Sequence, residues 1–109
     1  MPTPISRDEL ALRLRLGVPL TLVEALGPDW WADAHLPGAV NVPASMVEQL
    51  AAKLLPDPYR PLVVYASRSC AEAGPAAAAL EAIGYRHVHV YEAGKEDWIE
   101  AGLPVERED

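Results

Sequence analysis

The 109-residue chain has the size at which one hydrophobic core makes one domain, so we expect a single domain over residues 1–109. Hydrophobic residues make up 50% of it, yet no apolar run approaches the roughly 20 residues that span a bilayer, which argues against a membrane protein. The formal net charge of −7 argues against nucleic acid or acidic lipid as a partner, because both are bound mainly through Lys and Arg.

The chain contains one cysteine, Cys70, which has no partner for an internal disulfide. The first residues lack the basic and apolar regions of a signal peptide. Both observations predict a reducing, cytoplasmic location. Cys70 is then either a reactive thiol or a buried apolar side chain.

The first predicted element is a helix that begins at a capping box, Ser-Arg-Asp-Glu, over residues 6–9. Leu10 and Leu14 would share one face of this helix, although the leucines at even positions from 10 to 16 also fit the alternation of a strand. The cap and the good helix formers Leu and Arg favour the helix. Gly17 is expected to end it.

Short apolar runs separated by Pro and Gly follow, as is typical of strands and helices joined by tight turns. The predicted elements are a strand over residues 20–25, a short helix over 29–34, a turn over 35–38, a strand over 39–42 and a helix that starts at a second capping box, 45–48, and ends before Pro56. The apolar spacing of this last helix predicts that one of its faces packs on a sheet.

The second half begins with Leu62–Tyr65, an apolar run without alternation, which indicates a strand buried on both faces of a parallel sheet. A loop of small residues (66–73) and a helix from about residue 74 to 83 follow. A strand over 86–91 and a helix over 95–101 complete the order. Alternating strands and helices predict an α/β fold with a mostly parallel sheet.

Three segments resemble the rhodanese family in order and spacing: His35-Leu-Pro-Gly-Ala-Val-Asn-Val-Pro43, the strand and loop from Val63 to Cys70, and the tail Tyr91-Glu-Ala-Gly-Lys-Glu-Asp-Trp98 with Gly102-Leu-Pro-Val-Glu106. The tail contains the pattern Gly-x-x-x-Trp-x-x-x-Gly-Leu-Pro, which begins at Gly94. The match covers nearly the whole chain. The resemblance implies a three-layer α/β domain, with a five-stranded, mostly parallel sheet flanked by helices. It also implies sulfurtransferase chemistry through a cysteine persulfide, in a loop that cradles the reactive sulfur.

The candidate catalytic residue is Cys70. A thiolate can take the outer sulfur of thiosulfate or of a persulfide donor and pass it to cyanide or to a thiol, including one on an acceptor protein. This chemistry needs no metal and no cofactor. The loop amides and one positive charge are expected to bind the anionic substrate and to hold the Cys70 pKa below about 8.5. The candidate substrate-binding residues are Ala66, Ser67, Arg68, Ser69 and Ala71.

A second hypothesis is a catalytically silent rhodanese-like module that binds or regulates a partner. It is suggested by Ala66, which follows the aromatic residue of the strand, where many family members carry the nucleophilic cysteine. The chain also has Glu24-Ala-Leu26 where Asp-x-Arg is usual, and Ala93-Gly94 where two glycines are usual. A phosphatase or arsenate reductase is disfavoured, because the arginine that such loops place six positions after the cysteine is Ala76 here.

The remaining polar and aromatic candidates each have two interpretations. Arg68 could bind an anionic donor or be a solvated cation. His35 lies at a Pro-Gly turn, which favours a structural hydrogen bond over a general base. His87 and His89 share one side of a strand and could hold a metal, but the sequence offers no third ligand nearby. The tryptophans are expected to pack in the protein, with an exposed member of the pair at 30–31 as an alternative partner contact.

Overall fold

The computed structural model describes residues 2–69 and 71–108. Its elements in chain order are β1 (Thr3–Pro4), α1 (Arg7–Arg15), β2 (Thr21–Glu24), α2 (Pro28–Asp33), β3 (Val40–Asn41), α3 (Val47–Leu54), β4 (Leu62–Tyr65), α4 (Ala73–Ala82), β5 (Val88–Tyr91) and α5 (Gly94–Glu100). The five strands form one parallel sheet in the order β1-β5-β4-β2-β3. The predicted α/β fold with a five-stranded parallel sheet is confirmed. Within the described ranges, no helix is long and apolar enough to cross a membrane.

The strand β4 lies at the centre of the sheet, between β5 and β2. Its four side chains are all buried. Leu62 and Val64 pack in a core with α3 and α4 on one face of the sheet, whereas Val63 and Tyr65 pack in a second core with α1 and α5 on the other. A strand that is covered on both faces has no solvent side, which explains its continuous apolar sequence.

The edge strand β1 was not predicted. Thr3 and Pro4 pair with His89 and Val90 of β5, and the next amide, that of Ile5, donates to the Val90 carbonyl at 3.0 Å. Two residues are too few to show alternation, and proline is a weak strand former because it lacks an N–H. At the edge of a sheet the missing donor disrupts no ladder, so the pairing is tolerated.

The two predicted capping boxes differ in outcome. At the first, the Glu9 amide donates to the Ser6 hydroxyl at 3.1 Å, so Ser6 caps α1 as predicted. The second prediction was wrong, because a 3₁₀ turn over Ala44–Met46 precedes α3 and no side chain caps this helix. Ser45 lies inside that turn, and the residue at the N-cap position of α3 is Met46, whose side chain has no oxygen to accept from the helix amides.

Replacing Leu10 by Ala should lower the free energy of unfolding by about 2–5 kcal/mol, because a fully buried side chain leaves a cavity. Leu10 is 0% exposed in the core beneath α1. Leu16 at the end of the same helix is 68% exposed, so Leu16→Ala is a matched control that should change stability by less than about 0.5 kcal/mol. Urea unfolding followed by circular dichroism measures both, and equal losses would contradict the burial pattern.

Candidate functional site

A cleft of about 310 Å³ opens at the carboxyl ends of β4 and β5. Its walls are the loop after β4, the start of α4 and the end of β5, and the lining residues are Ala66, Ser67, Arg68, Ala71, Ala73, Gly74, Val90 and Glu92. In parallel α/β sheets, the carboxyl ends of adjacent strands are where ligands usually bind. The cleft is therefore the candidate functional site.

Most of the predicted substrate-binding residues lie at this cleft. Those that line it are Ala66, Ser67, Arg68 and Ala71. Ser69 is exposed, and its hydroxyl oxygen lies 3.4 Å from that of Ser67. Cys70, the predicted nucleophile, lies outside the described residues.

The first turn of α5 is hydrogen-bonded to the loop that follows β4. The Lys95 amide donates to the carbonyl oxygen of Ala66 at 2.9 Å. In the opposite direction, the Arg68 amide donates to a carboxylate oxygen of Glu96 at 2.8 Å. The sequence predicted that the loop amides would bind an external anion, but at Arg68 a carboxylate of the protein itself is the acceptor.

Gly94, the first residue of α5, permits this close approach. It has a φ of +85°, in the region that favours glycine. A Cβ at this position would lie 2.9 Å from the Arg68 nitrogen and 2.9 Å from the Ser67 carbonyl carbon. These are backbone atoms that no side-chain rotation can move away, so the loop would have to shift.

We expect Gly94→Ala to destabilise the protein more than Gly102→Ala. Gly102 has a similar φ of +76°, but nothing lies within 4 Å of its Cβ position, so that variant carries only the cost of a left-handed alanine, about 1–2 kcal/mol. Gly94→Ala adds overpacking against the loop, about 1–3 kcal/mol more. Urea unfolding of both variants measures the difference. Equal losses of unfolding free energy in the two variants would mean that the loop shifts away from the new Cβ at no cost.

The Arg68 side chain is exposed and forms an ion pair with α5, and its binding of an anionic donor stays a prediction. Its guanidinium donates to the two carboxylate oxygens of Glu100, at 2.7 and 3.0 Å. This forked pair raises the pKa of Arg68 and lowers the pKa of Glu100. Both side chains are more than half exposed, so the pair contributes little to stability. The guanidinium of Arg68 is nevertheless already bound to a carboxylate of the protein itself.

A buried ion pair anchors α5 to the sheet. The Lys95 ammonium donates to Glu24 at 3.0 Å, to the Trp30 carbonyl at 2.8 Å and to the Ala34 carbonyl at 2.6 Å. Lys95 is 5% exposed and Glu24 is 0% exposed. All three donors of the ammonium are used, as a buried charge requires. Lys95 thus connects α5 to the ends of β2 and α2.

The other carboxylate oxygen of Glu24 accepts a hydrogen bond from the Tyr65 hydroxyl at 2.8 Å. That hydroxyl in turn accepts from the Leu36 amide at 3.1 Å. Burial raises the pKa of Glu24, although the hydrogen bonds from Tyr65 and Lys95 act in the opposite direction. Burial also raises the pKa of Tyr65. The network therefore joins the ends of β2 and β4 directly beneath the loop.

Lys95→Met should lower the free energy of unfolding by about 3–5 kcal/mol, because Glu24 is left buried without its cation. The Trp30 and Ala34 carbonyls also lose their donor. The pKa of native Glu24 then rises further above its unfolded value, so the native state binds more protons between the two pKa values and its stability falls as pH rises through that window. The loss should accordingly be larger at neutral pH than near about pH 4.5.

Urea unfolding at both pH values tests this expectation. Lys53→Met, on the exposed surface of α3, is the control and should change stability by less than about 0.5 kcal/mol at either pH. If Lys95→Met lowers the free energy of unfolding by the same amount at both pH values, Glu24 is not the buried partner whose charge Lys95 compensates.

His35 makes a structural hydrogen bond, as its position at a Pro-Gly turn predicted. It is 2% exposed, its ring stacks on Trp31, and its Nδ1 lies 2.7 Å from the Trp31 carbonyl oxygen, to which it can only donate. Its backbone also pairs with Glu106 in the C-terminal tail. His87 and His89 line a different cleft, of about 200 Å³. In residues 2–69 and 71–108, no group of three or more His, Cys, Asp or Glu is arranged to hold a metal ion.

The tryptophans divide between packing and exposure. Trp98 is buried, and its indole N–H donates to the Pro104 carbonyl at 2.8 Å. Trp31 is half-buried and donates to the Ala39 carbonyl at 2.8 Å. Trp30 is 56% exposed. Packing is therefore confirmed for two of the three.

Sequence reasoning missed the contribution of α5 to the site. Gly94, Lys95, Glu96 and Glu100 were assigned no functional role, although all four contact the loop or anchor the helix beneath it. One signal was available: Glu24 is a charged residue at the end of an apolar strand, which indicates a buried partner of opposite charge. Nothing in the pattern identifies that partner as Lys95.

A family model described as a rhodanese-like domain matches residues 6–101. The HTH-type transcriptional regulator Rv0324 of Mycobacterium tuberculosis is 32% identical over 102 residues, which cover 94% of this chain and 44% of the regulator. The chain thus spans less than half the length of that curated relative.

Two solved structures illustrate the structural similarity. The thiosulfate sulfurtransferase of Pseudomonas aeruginosa is 26% identical with a TM-score of 0.84, over 97% of this chain and 20% of that one. The rhodanese-like domain of the Anabaena sp. protein Alr3790 is 25% identical with a TM-score of 0.85, over 98% of this chain and 80% of that one.

Proposed function

Because the chain belongs to the rhodanese-like domain family, we propose that it is a sulfurtransferase that carries sulfane sulfur as a persulfide on Cys70. The donor is a small sulfur-containing anion such as thiosulfate, or a persulfide. The acceptor is cyanide or a thiol, including a thiol on a protein. We further propose that residues 1–109 form one such domain and that it works in the cytoplasm, where a single thiol stays reduced.

The observation that carries this proposal is the position of the cleft. It lies at the carboxyl ends of β4 and β5, and Ser67, Arg68 and Ala71, which are close to Cys70 in the sequence, line it. The helix α4 begins at Ala73, which also lines the cleft. The partial positive charge at a helix N-terminus favours a thiolate over a thiol, and the thiolate is the nucleophile.

The proposed reaction balances without a metal or a cofactor. The Cys70 thiolate attacks the outer sulfur of thiosulfate, a new S–S bond forms, the old S–S bond breaks and sulfite leaves with its two negative charges. In the second half, an acceptor thiolate attacks the outer sulfur of the persulfide and releases the Cys70 thiolate.

A second candidate function, a catalytically silent binding or regulatory module, has its own support. Ala66 follows β4 at the position where the resemblance expects the nucleophile, and it is buried. The similar regulator of Mycobacterium tuberculosis is named for transcriptional control. In this alternative the cleft would bind a partner or a small molecule, and Cys70 would accept no sulfur.

Incubation with thiosulfate or with a persulfide donor should add one sulfur atom to the protein, as measured by intact-protein mass spectrometry. Cys70→Ser should accept none, and its rate of transfer to cyanide or dithiothreitol should fall to the uncatalysed rate, because the nucleophile is gone. Ser45→Ala, an exposed position in the turn before α3, is the control and should behave as the wild type.

The result also separates the two candidate functions. A persulfide that forms in the wild type and in Ser45→Ala, but not in Cys70→Ser, supports the sulfurtransferase. If the wild type accepts no sulfur from either donor, the silent module is favoured instead.

A further inference from the structure

At the rim of the cleft, the amide and the guanidinium of Arg68, two groups that could bind an anion, are already bonded to carboxylates of α5. The Arg68 amide donates to Glu96 at 2.8 Å, and its guanidinium forms two bonds to Glu100. Oxygens of a sulfonate or sulfate group are bound by these same kinds of donor, backbone N–H groups and the guanidinium fork. A small dianion that uses these donors must therefore displace the carboxylates of Glu96 and Glu100.

Negative charge also surrounds these donors. Glu92 lines the cleft, and Asp97 on α5 contributes to the field at Arg68. The whole chain carries a formal net charge of −7. Coulomb repulsion scales with the charge of the ligand, so a dianion is repelled twice as strongly as a monoanion at the same place. A donor whose own cation offsets its negative charge avoids most of this repulsion.

We propose that Glu96 and Glu100 are specificity-determining residues, which make the cleft select a persulfide on a neutral or cationic carrier over a dianionic donor such as thiosulfate. This inference rests on the proposed sulfurtransferase function and goes beyond it by naming the donor class. The chemical step is the same for either donor. With a persulfide, the thiolate of the protein takes the outer sulfur and the carrier leaves as its own thiolate, so charge and atoms balance.

The test replaces both carboxylates in Glu96→Gln/Glu100→Gln. Glutamine at position 96 keeps an oxygen that can accept from the Arg68 amide, and glutamine at position 100 keeps one of the two acceptors of the guanidinium, so both negative charges are removed while one acceptor remains at each position. The control is Glu9→Gln/Glu48→Gln, which removes two negative charges from exposed positions on α1 and α3. Both double variants have the same net charge, so any difference between them reports the position of the charge.

The rates to compare are kcat/KM with thiosulfate and with cysteamine persulfide, whose ammonium offsets the persulfide charge, and dithiothreitol is the acceptor for both. The wild type should prefer cysteamine persulfide. The Glu96→Gln/Glu100→Gln variant should raise kcat/KM for thiosulfate by about tenfold, the effect expected of removing two charges close to a dianion. Its kcat/KM for cysteamine persulfide should change less than about twofold, and the control should alter neither value.

A wild type that uses both donors equally well, or a thiosulfate rate that the variant leaves unchanged, would overturn the inference while leaving the sulfurtransferase function intact. Absence of transfer from both donors in every variant would instead contradict the proposed function.

A binding measurement tests the inference independently of activity. Sulfate, an unreactive dianion, is titrated into each protein while the Arg68 amide resonance is followed by NMR. The dissociation constant for sulfate should be about tenfold lower in Glu96→Gln/Glu100→Gln than in the wild type and in the control. Equal dissociation constants in all three proteins would overturn the proposed role of the two carboxylates.

Discussion

The close contact between the first turn of α5 and the loop after β4 constrains the rest of the site. It depends on Gly94, because any Cβ there would collide with the backbone of the loop. The loop and α5 follow adjacent parallel strands, so the sheet brings them to the same edge. The hydrogen bonds from Lys95 to Ala66 and from Arg68 to Glu96 then fix their relative position. The contact therefore positions Ala66 and Arg68, two of the residues that line the cleft.

Two ion pairs connect α5 to the rest of the protein, one buried and one exposed, and they have different consequences. Deep in the protein, the Lys95 and Glu24 charges neutralise each other, and every donor of the ammonium is satisfied, so this pair is suited to holding α5 at one position. At the surface, the pairing of Arg68 with Glu100 is solvent-exposed and contributes little to stability. Its consequence is for ligand binding, because it determines which charges a donor meets at the cleft.

The sequence was sufficient for the features that local patterns encode. The apolar run of β4 predicted the central strand, and the order of strands and helices predicted the fold. Two motifs far apart in the chain, the turn at His35 and the tail that contains Glu106, resembled the family together, and in the structure they pair through their backbones. The roles of Glu96 and Glu100 could not be predicted, since exposed charges on one helix carry no signal of a partner in a distant loop.

The most direct test is the position of the Arg68 amide proton in ¹H–¹⁵N NMR spectra of the wild type and of Glu96→Gln, both recorded at neutral pH. An amide that donates to a carboxylate resonates downfield of one that donates to a neutral amide oxygen, because the charged acceptor makes the stronger hydrogen bond. Because the Arg68 amide donates to Glu96 at 2.8 Å, we expect its resonance to lie downfield in the wild type and to move upfield in Glu96→Gln. An Arg68 resonance at the same position in both proteins would contradict the claim that α5 supplies the acceptor for this amide of the loop.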